Sequence, residues 1–193
     1  MSDPIAKLSR EDERLLLQVA RDAIEYGLRY KRAPHLEAET FPASVRVPRA
    51  VFVTLTLDGE LRGCVGTMES GLPLVINVSK YAYASAFVDS RFPAVTASEL
   101  PQLHIHISIL SPLEQIVCCS EQELLSKIRP GIDGLLLEEG THRATLLPSV
   151  WDSIPDPTEF VKRLKIKAGL PAHYWSNTIR MHSYTVQSIQ NGS

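Results

Sequence analysis

Apolar side chains return along the first thirty residues at Leu16, Val19, Ala20, Ala23, Ile24 and Gly27. Spacings of three and four put these positions on one stripe, the pattern of a helix that buries a single face. Ser9 stands just ahead of it with Asp12 three residues on, a pairing suited to capping the first turn. Residues 34–48 are polar and broken by prolines, and are expected to form a surface loop.

From residue 51 the period changes to that of a β-strand. Val51-Phe52-Val53-Thr54-Leu55-Thr56-Leu57 is rich in β-branched and apolar residues, and Asp58-Gly59 follows as a two-residue hairpin turn. Residues 61–67 form the return strand. A two-residue turn sets the register at Leu57 with Glu60, Leu55 with Arg62, and Val53 with Cys64. Opposed residues share a face, so Arg62 and Cys64 are expected on one side, with Leu61 and Val65 on the other.

Residues 73–88 read as a helix of small and apolar residues, with Pro73 in its first turn. Residues 103–110 read as a strand, with His104, His106 and Ser108 on one face and Leu103, Ile105, Ile107 and Ile109 on the other. Ser120 and Glu123 frame a short helix to residue 128. A second hairpin is expected at 134–137 and 143–147, turning near Gly140. Asp156 caps a further helix, Gly169 stops it, and a last strand lies near 180–186. Hairpin, helix and strand thus occur twice in order. The fold class is α+β with a mostly antiparallel or mixed sheet, since regular βαβ crossovers are absent.

Composition narrows the classes. The 193 residues fit one domain, or one domain made of two halves, at 1–115 and 116–193. Hydrophobic residues at 44% and charged residues at 22% exclude a disordered chain. A net charge of -2 argues against a globally basic nucleic-acid binder and against a polybasic membrane anchor. No run of roughly 18 apolar residues is present, and the charged stretch 1–14 is unlike a signal peptide. Three cysteines make no disulfide framework, so a cytoplasmic protein with reduced thiols is expected.

Leu61-Arg62-Gly63-Cys64-Val65-Gly66-Thr67 resembles the signature of the AMMECR-one family, the products related to AMME chromosomal region gene 1. Ala86-Phe87-Val88-Asp89-Ser90-Arg91-Phe92-Pro93 resembles its second block, and Ile107-Ser108-Ile109-Leu110-Ser111-Pro112 its third. Gly131-Ile132-Asp133-Gly134 with Ala144-Thr145-Leu146-Leu147-Pro148 resembles the fourth. The likeness spans about residues 10–188. It implies two β-rich repeats sharing one barrel-like sheet, with helices packed outside. It also implies Memo-like and radical S-adenosylmethionine proteins as partners, and no settled biochemical activity.

Cys64 is the sharpest chemical candidate. Gly63 and Gly66 leave little bulk beside it, and glycine in a strand often marks a close approach of ligand or backbone. With Arg62 two residues away on the same face, a guanidinium would favour the thiolate, giving a nucleophile or a thiol ligand. The competing reading is a small buried residue where the sheet packs tightly. His106 is the candidate base, if its strand pairs beside the hairpin. The family pattern places varied residues there, so a Cys64–His106 dyad would not be a family mechanism. Arg62 and Arg91 are candidates for an anion clamp, with Asp89 holding one guanidinium. Against this stands a plain ion pair and turn at Asp89 and Arg91 that pins the helix to the hairpin. The expected pocket is floored by residues 61–67, Gly63, Gly66 and Thr67 included, and rimmed by 89–92.

Other patterns carry less. His104 with His106 are two ligands, too few for a closed metal site, and no metal or cofactor is expected. Adjacent Cys118 and Cys119 are expected to be inert thiols. Gly63-Cys64-Val65-Gly66 lies on a hairpin strand without basic residues, unlike a nucleic-acid-clamping G-x-x-G loop, and no Walker loop occurs. Lys162, Arg163, Lys165 and Lys167 are expected on a solvated helix face, and Trp151 and Trp175 in packing. The chemistry points to a small anionic or electrophilic ligand, or to a thiol-dependent enzyme. The alternatives are a non-catalytic protein-interaction module and, third, a nucleic-acid-associated factor.

Overall fold

The computed structural model describes residues 8–190. Positions 1–7, part of the charged N-terminal stretch read above, and 191–193 lie outside the described residues. Helix α1 (Arg10–Tyr30) begins as its sequence directs. The Ser9 hydroxyl accepts from the Asp12 amide at 3.1 Å, and the Asp12 carboxylate accepts from the Ser9 amide. Its apolar stripe is buried from Leu16 to Gly27. Gly27 matters by its size: a Cβ there would overlap the Tyr83 and Phe87 rings of the second long helix, α3 (Leu74–Phe87). The stretch 34–48 holds more structure than expected, a 3-10 turn (Ala38–Thr40) and the one-turn α2 (Ala43–Arg46), which buries Val45.

Strands β1 (Val51–Leu57) and β2 (Glu60–Thr67) form the expected hairpin. Asp58 and Gly59 both take positive φ, 52° and 83°. β3 (His104–Leu110) pairs antiparallel with β1, and β8 (Val186–Gln190) completes a four-stranded sheet of order β2-β1-β3-β8. Val51, Val53, Leu55, Ile105, Ile107 and Ile109 point to the side covered by α1 and α3, and all are buried. Each is worth roughly 1.5–3 kcal/mol by removal from water. These elements form the first of two compact units, up to Ser111 together with the segment from Gln187.

The second unit, Pro112–Val186, repeats the arrangement. The hairpin β5 (Gly134–Glu139) and β6 (His142–Leu146) is followed by α5 (Pro157–Lys167) and β7 (Arg180–Tyr184). β4 (Glu114–Ile116) adds the fourth strand, in the order β4-β7-β5-β6. α4 (Glu121–Lys127) is capped by Ser120, as read. Leu135, Leu137 and Met181 face Phe160 and Leu164 of α5, and Trp151 stacks on Phe160 with ring centroids 3.7 Å apart.

The α+β class holds, but the strands close no shared barrel. They make two open sheets, and each hairpin's outer edge is finished by side chains rather than by another strand. At β2 the Cys64 amide and carbonyl are taken by Asp89 and Arg91. At β6 the Thr145 carbonyl accepts from Lys167 Nζ at 2.9 Å. The basic run of α5 is therefore no uniform solvated face. Lys165 is 0% exposed, bonded to Glu121 at 2.6 Å and to the Ala172 carbonyl, with Trp175 beside it.

Candidate functional site

The hairpin register departs from the expected one at a single point. Leu57 opposes Glu60 and Thr56 opposes Leu61, but Leu55 opposes Gly63 and Thr54 opposes Cys64. Arg62 is an extra residue on its strand, a β-bulge. Every residue from Gly63 onward is thereby moved to the face opposite to that expected. Gly63 turns toward the core, where a Cβ would overlap the Ser85 carbonyl oxygen of α3. Cys64 turns to the other face.

The bulge coincides with an insertion. The buried Ser85 hydroxyl sits between the two strands, accepting from the Val65 amide at 3.0 Å and donating to the Val53 carbonyl at 2.7 Å. Gly66 is likewise filled by the protein itself, since a Cβ there would overlap the Phe52 ring and the Val51 carbonyl. Thr67 Oγ1 accepts from the Glu69 amide at 2.9 Å. Gly63 and Gly66 therefore serve close packing, and Thr67 a turn.

Arg62 does not stand beside the sulfur. Its guanidinium donates to Glu99 at 2.7 Å and to the Pro93 and Ala94 carbonyls, and its side chain is only 12% exposed. These bonds hold the Glu99 carboxyl down at about 2, with the Thr96 amide and hydroxyl assisting against burial. Asp89 and Arg91 form a second fixed unit. Asp89 accepts from Arg91 through both oxygens, at 2.9 and 2.7 Å, and from the Cys64 amide at 2.9 Å. Arg91 also donates to the Cys64 carbonyl at 3.1 Å. The Arg91 bonds foremost keep the Asp89 carboxyl below the usual carboxylate range. The expected clamp of Arg62 and Arg91 on an anion is thus not assembled: both guanidinia grip the protein's own oxygens.

The structure does bring Cys64 and His106 into one row. β1 opposes Cys64 to Thr54 on one edge, and Thr54 to His106 on the other. Cys64, Thr54 and His106 therefore lie side by side across three strands on the face away from the helices, with the backbones of the outer two about 10 Å apart across the sheet. Cys64 Sγ and Thr54 Oγ1 are 3.2 Å apart. His106 is half-buried, and burial lowers its pKa, so its imidazole is neutral near pH 7. Beside the row runs an open cleft of about 400 Å³, lined by Thr54 and His106 of the row together with Thr56, Gly59, His104, Ile105 and Gln190, with Cys64 next to Thr54 outside the lining. Thr54, Thr56 and Gln190 thus join the two histidines in lining the cleft. The signal for the first two was present, because Thr54 and Thr56 interrupt an apolar strand at every second position.

Among the described residues no three His, Cys, Asp or Glu side chains converge to hold a metal ion. Cys118 and Cys119 are free thiols in the second unit, and burial pushes the Cys118 thiol up. Trp151 is packed, with its indole N–H on the Asp133 carbonyl. No helix among the described residues is long and apolar enough to cross a membrane.

Comparison with known proteins agrees with the sequence blocks. A protein of Methanothermobacter thermautotrophicus is 37% identical over 188 residues, covering 94% of this chain and 95% of its own. Protein MJ0810 of Methanocaldococcus jannaschii is 35% identical over 191 residues, covering 95% and 92%. The crystal structure of uncharacterized protein PH0010 from Pyrococcus horikoshii superposes with a TM-score of 0.85 at 33% identity, covering 94% of this chain and 92% of that one. The AMMECR1 family model matches residues 17–189, and the chain belongs to the AMMECR1 family.

Proposed function

We propose that the first unit binds a small molecule in the cleft on the open face of its sheet and acts on it through the Cys64 thiol. The row Cys64–Thr54–His106 carries this reading. Thr54 Oγ1 lies within hydrogen-bonding reach of the sulfur, and the neutral imidazole of His106 is a proton acceptor on the other side of it. In a group transfer, the thiol proton passes to Thr54, and the Thr54 proton passes through one water of the open cleft to His106 on the neighbouring strand. The sulfur electron pair forms the new S–C bond to an electrophilic carbon. The leaving group departs with the pair of the bond it breaks and takes the proton back from His106. Arg62, Asp89 and Arg91 hold the strand that presents Cys64 and do not touch the ligand.

A cytoplasmic setting belongs to the same proposal, since the three thiols are unpaired. So do the Memo-like and radical S-adenosylmethionine partners, as suppliers or consumers of the ligand. A docking role by strand addition is less supported at this edge, because the Cys64 amide and carbonyl are already bonded. The test is iodoacetamide labelling at neutral pH, resolved by peptide mass spectrometry, with exposed Cys119 as internal reference. Thr54→Val should slow Cys64 alkylation several-fold and leave Cys119 unchanged. An unchanged Cys64 rate would reduce the cysteine to a packing residue.

A further inference from the structure

The chemistry lining the cleft defines a class of ligand. Thr54 opposes His106 and Thr56 opposes His104 on neighbouring strands, and all four side chains point to the open face. They form a rectangle of two hydroxyls and two imidazoles, about 5 Å across the strands and about 7 Å along them. Gln190 adds an amide at the rim. Among the described residues that line the cleft there is no Asp, Glu, Lys or Arg. Arg62 and Arg91 are bonded to Glu99, Asp89 and backbone carbonyls.

An anion entering here would exchange its water for dipoles alone, without a cation to offset the loss. A neutral ring with hydroxyl or amide groups around its edge meets a donor or acceptor at each corner. Threonine hydroxyls and neutral imidazoles both donate and accept, so they suit such groups in either sense. We propose that the cleft takes an uncharged polar ring, a pyranose-like polyol or a pyrimidine-like cyclic amide, and discriminates against its phosphorylated form. This rests on the reading above that the cleft is the binding site, and replaces the anionic ligand expected from Arg62 and Arg91 with a neutral one.

The experiment is an NMR titration of the full chain, following the imidazole C–H signals of His104 and His106. The probes are D-glucose and D-galactose for the polyol arm, uracil and cytosine for the cyclic-amide arm, and glucose phosphate and uridine monophosphate as charged counterparts. A neutral probe of one arm should shift both imidazoles saturably, with an affinity unchanged within about twofold between low and physiological salt. Thr56→Val should weaken that binding about five- to tenfold, and Thr56→Ser should restore most of it. Tighter, salt-sensitive binding of a phosphorylated probe would overturn the neutral class and leave the cleft as a site. Absence of a saturable shift with every probe would overturn the class as well, while the thiol labelling would still judge the role of Cys64 separately.

Discussion

The two units build the same sheet and use its free face in opposite ways. In each, the second hairpin strand is the edge, the first is central, and the strand after the helix pairs with the first. The row Cys64–Thr54–His106 therefore has a positional counterpart in Thr145–Leu136–His182. Both edge residues lend their carbonyl to a later cation, Arg91 in one unit and Lys167 in the other. The middle residue differs. Thr54 is half-buried beside a cleft, whereas Leu136 is 1% exposed. Beside Leu136, Tyr184 is 2% exposed, lies over Gly134 and ties its hydroxyl to Thr145 at 2.6 Å and to the Leu146 carbonyl. Burial pushes that phenol up to about 12. One copy of the architecture keeps a polar, accessible face, and the other fills the same face with a leucine and a tyrosine. Topology alone does not make a site; three or four side chains on it do.

The contrast is open to direct attack. The largest effect is expected at Gly63→Ala, where the new methyl meets helix backbone that cannot swing aside, at a cost of about 3 kcal/mol in urea unfolding. Gly134→Ala meets the Tyr184 ring, which can shift, and should cost about half as much. Equal costs would mean that the helix gives way as readily as a ring. Exchanging the middle residues is next. Leu136→Thr places a hydroxyl where apolar volume is required and should cost about 2 kcal/mol. Thr54→Val should change stability by less than about 0.5 kcal/mol, because that position is half-buried and faces a cleft. A large loss at Thr54→Val would make the open face a structural one.

A smaller effect comes from acid. The folded-state carboxyls of Asp89 and Glu99 lie below their usual range, so their contribution is complete above about pH 4.5. The Glu99 share is lost as pH falls toward about 2, and the Asp89 share only at lower pH. Asp89 is held lower than Glu99, so the Cys64 amide bonded to it should keep its protection against hydrogen exchange through that window, apart from the intrinsic change of rate. Asp89→Asn should lower that protection at all pH values. The edge of the second hairpin rests on Lys167 and a carbonyl, which have no carboxylate to protonate. Unchanged protection of the Cys64 amide in Asp89→Asn would contradict the assignment of Asp89 as the latch.

Much of this was legible in the residues. Ser9 with Asp12, the Asp58-Gly59 turn, and the alternation of histidine with isoleucine in β3 all signal local geometry, and local geometry followed. The bulge at Arg62 had no such signal. It accompanies the Ser85 hydroxyl standing between Val53 and Val65, a contact between residues far apart in the chain. That one inserted residue moved Cys64 to the face of Thr54 and left Arg62 to the segment 93–99. The same kind of distant partner explains Lys165, which looks like a surface cation until Glu121 and Trp175 surround it. The pairing of β3 with β1, which sets His106 in line with Cys64, is also a matter of tertiary register and not of spacing.

The central claim is that Cys64, Thr54 and His106 act as one unit on the open face. Its most direct measurement is the rate of Cys64 alkylation from pH 5 to 8 in the parent protein and in His106→Gln. The account predicts a rise that follows deprotonation of His106, centred below the ordinary histidine range because burial disfavours the imidazolium, and absent from the variant. Superimposable profiles for the two proteins would contradict it.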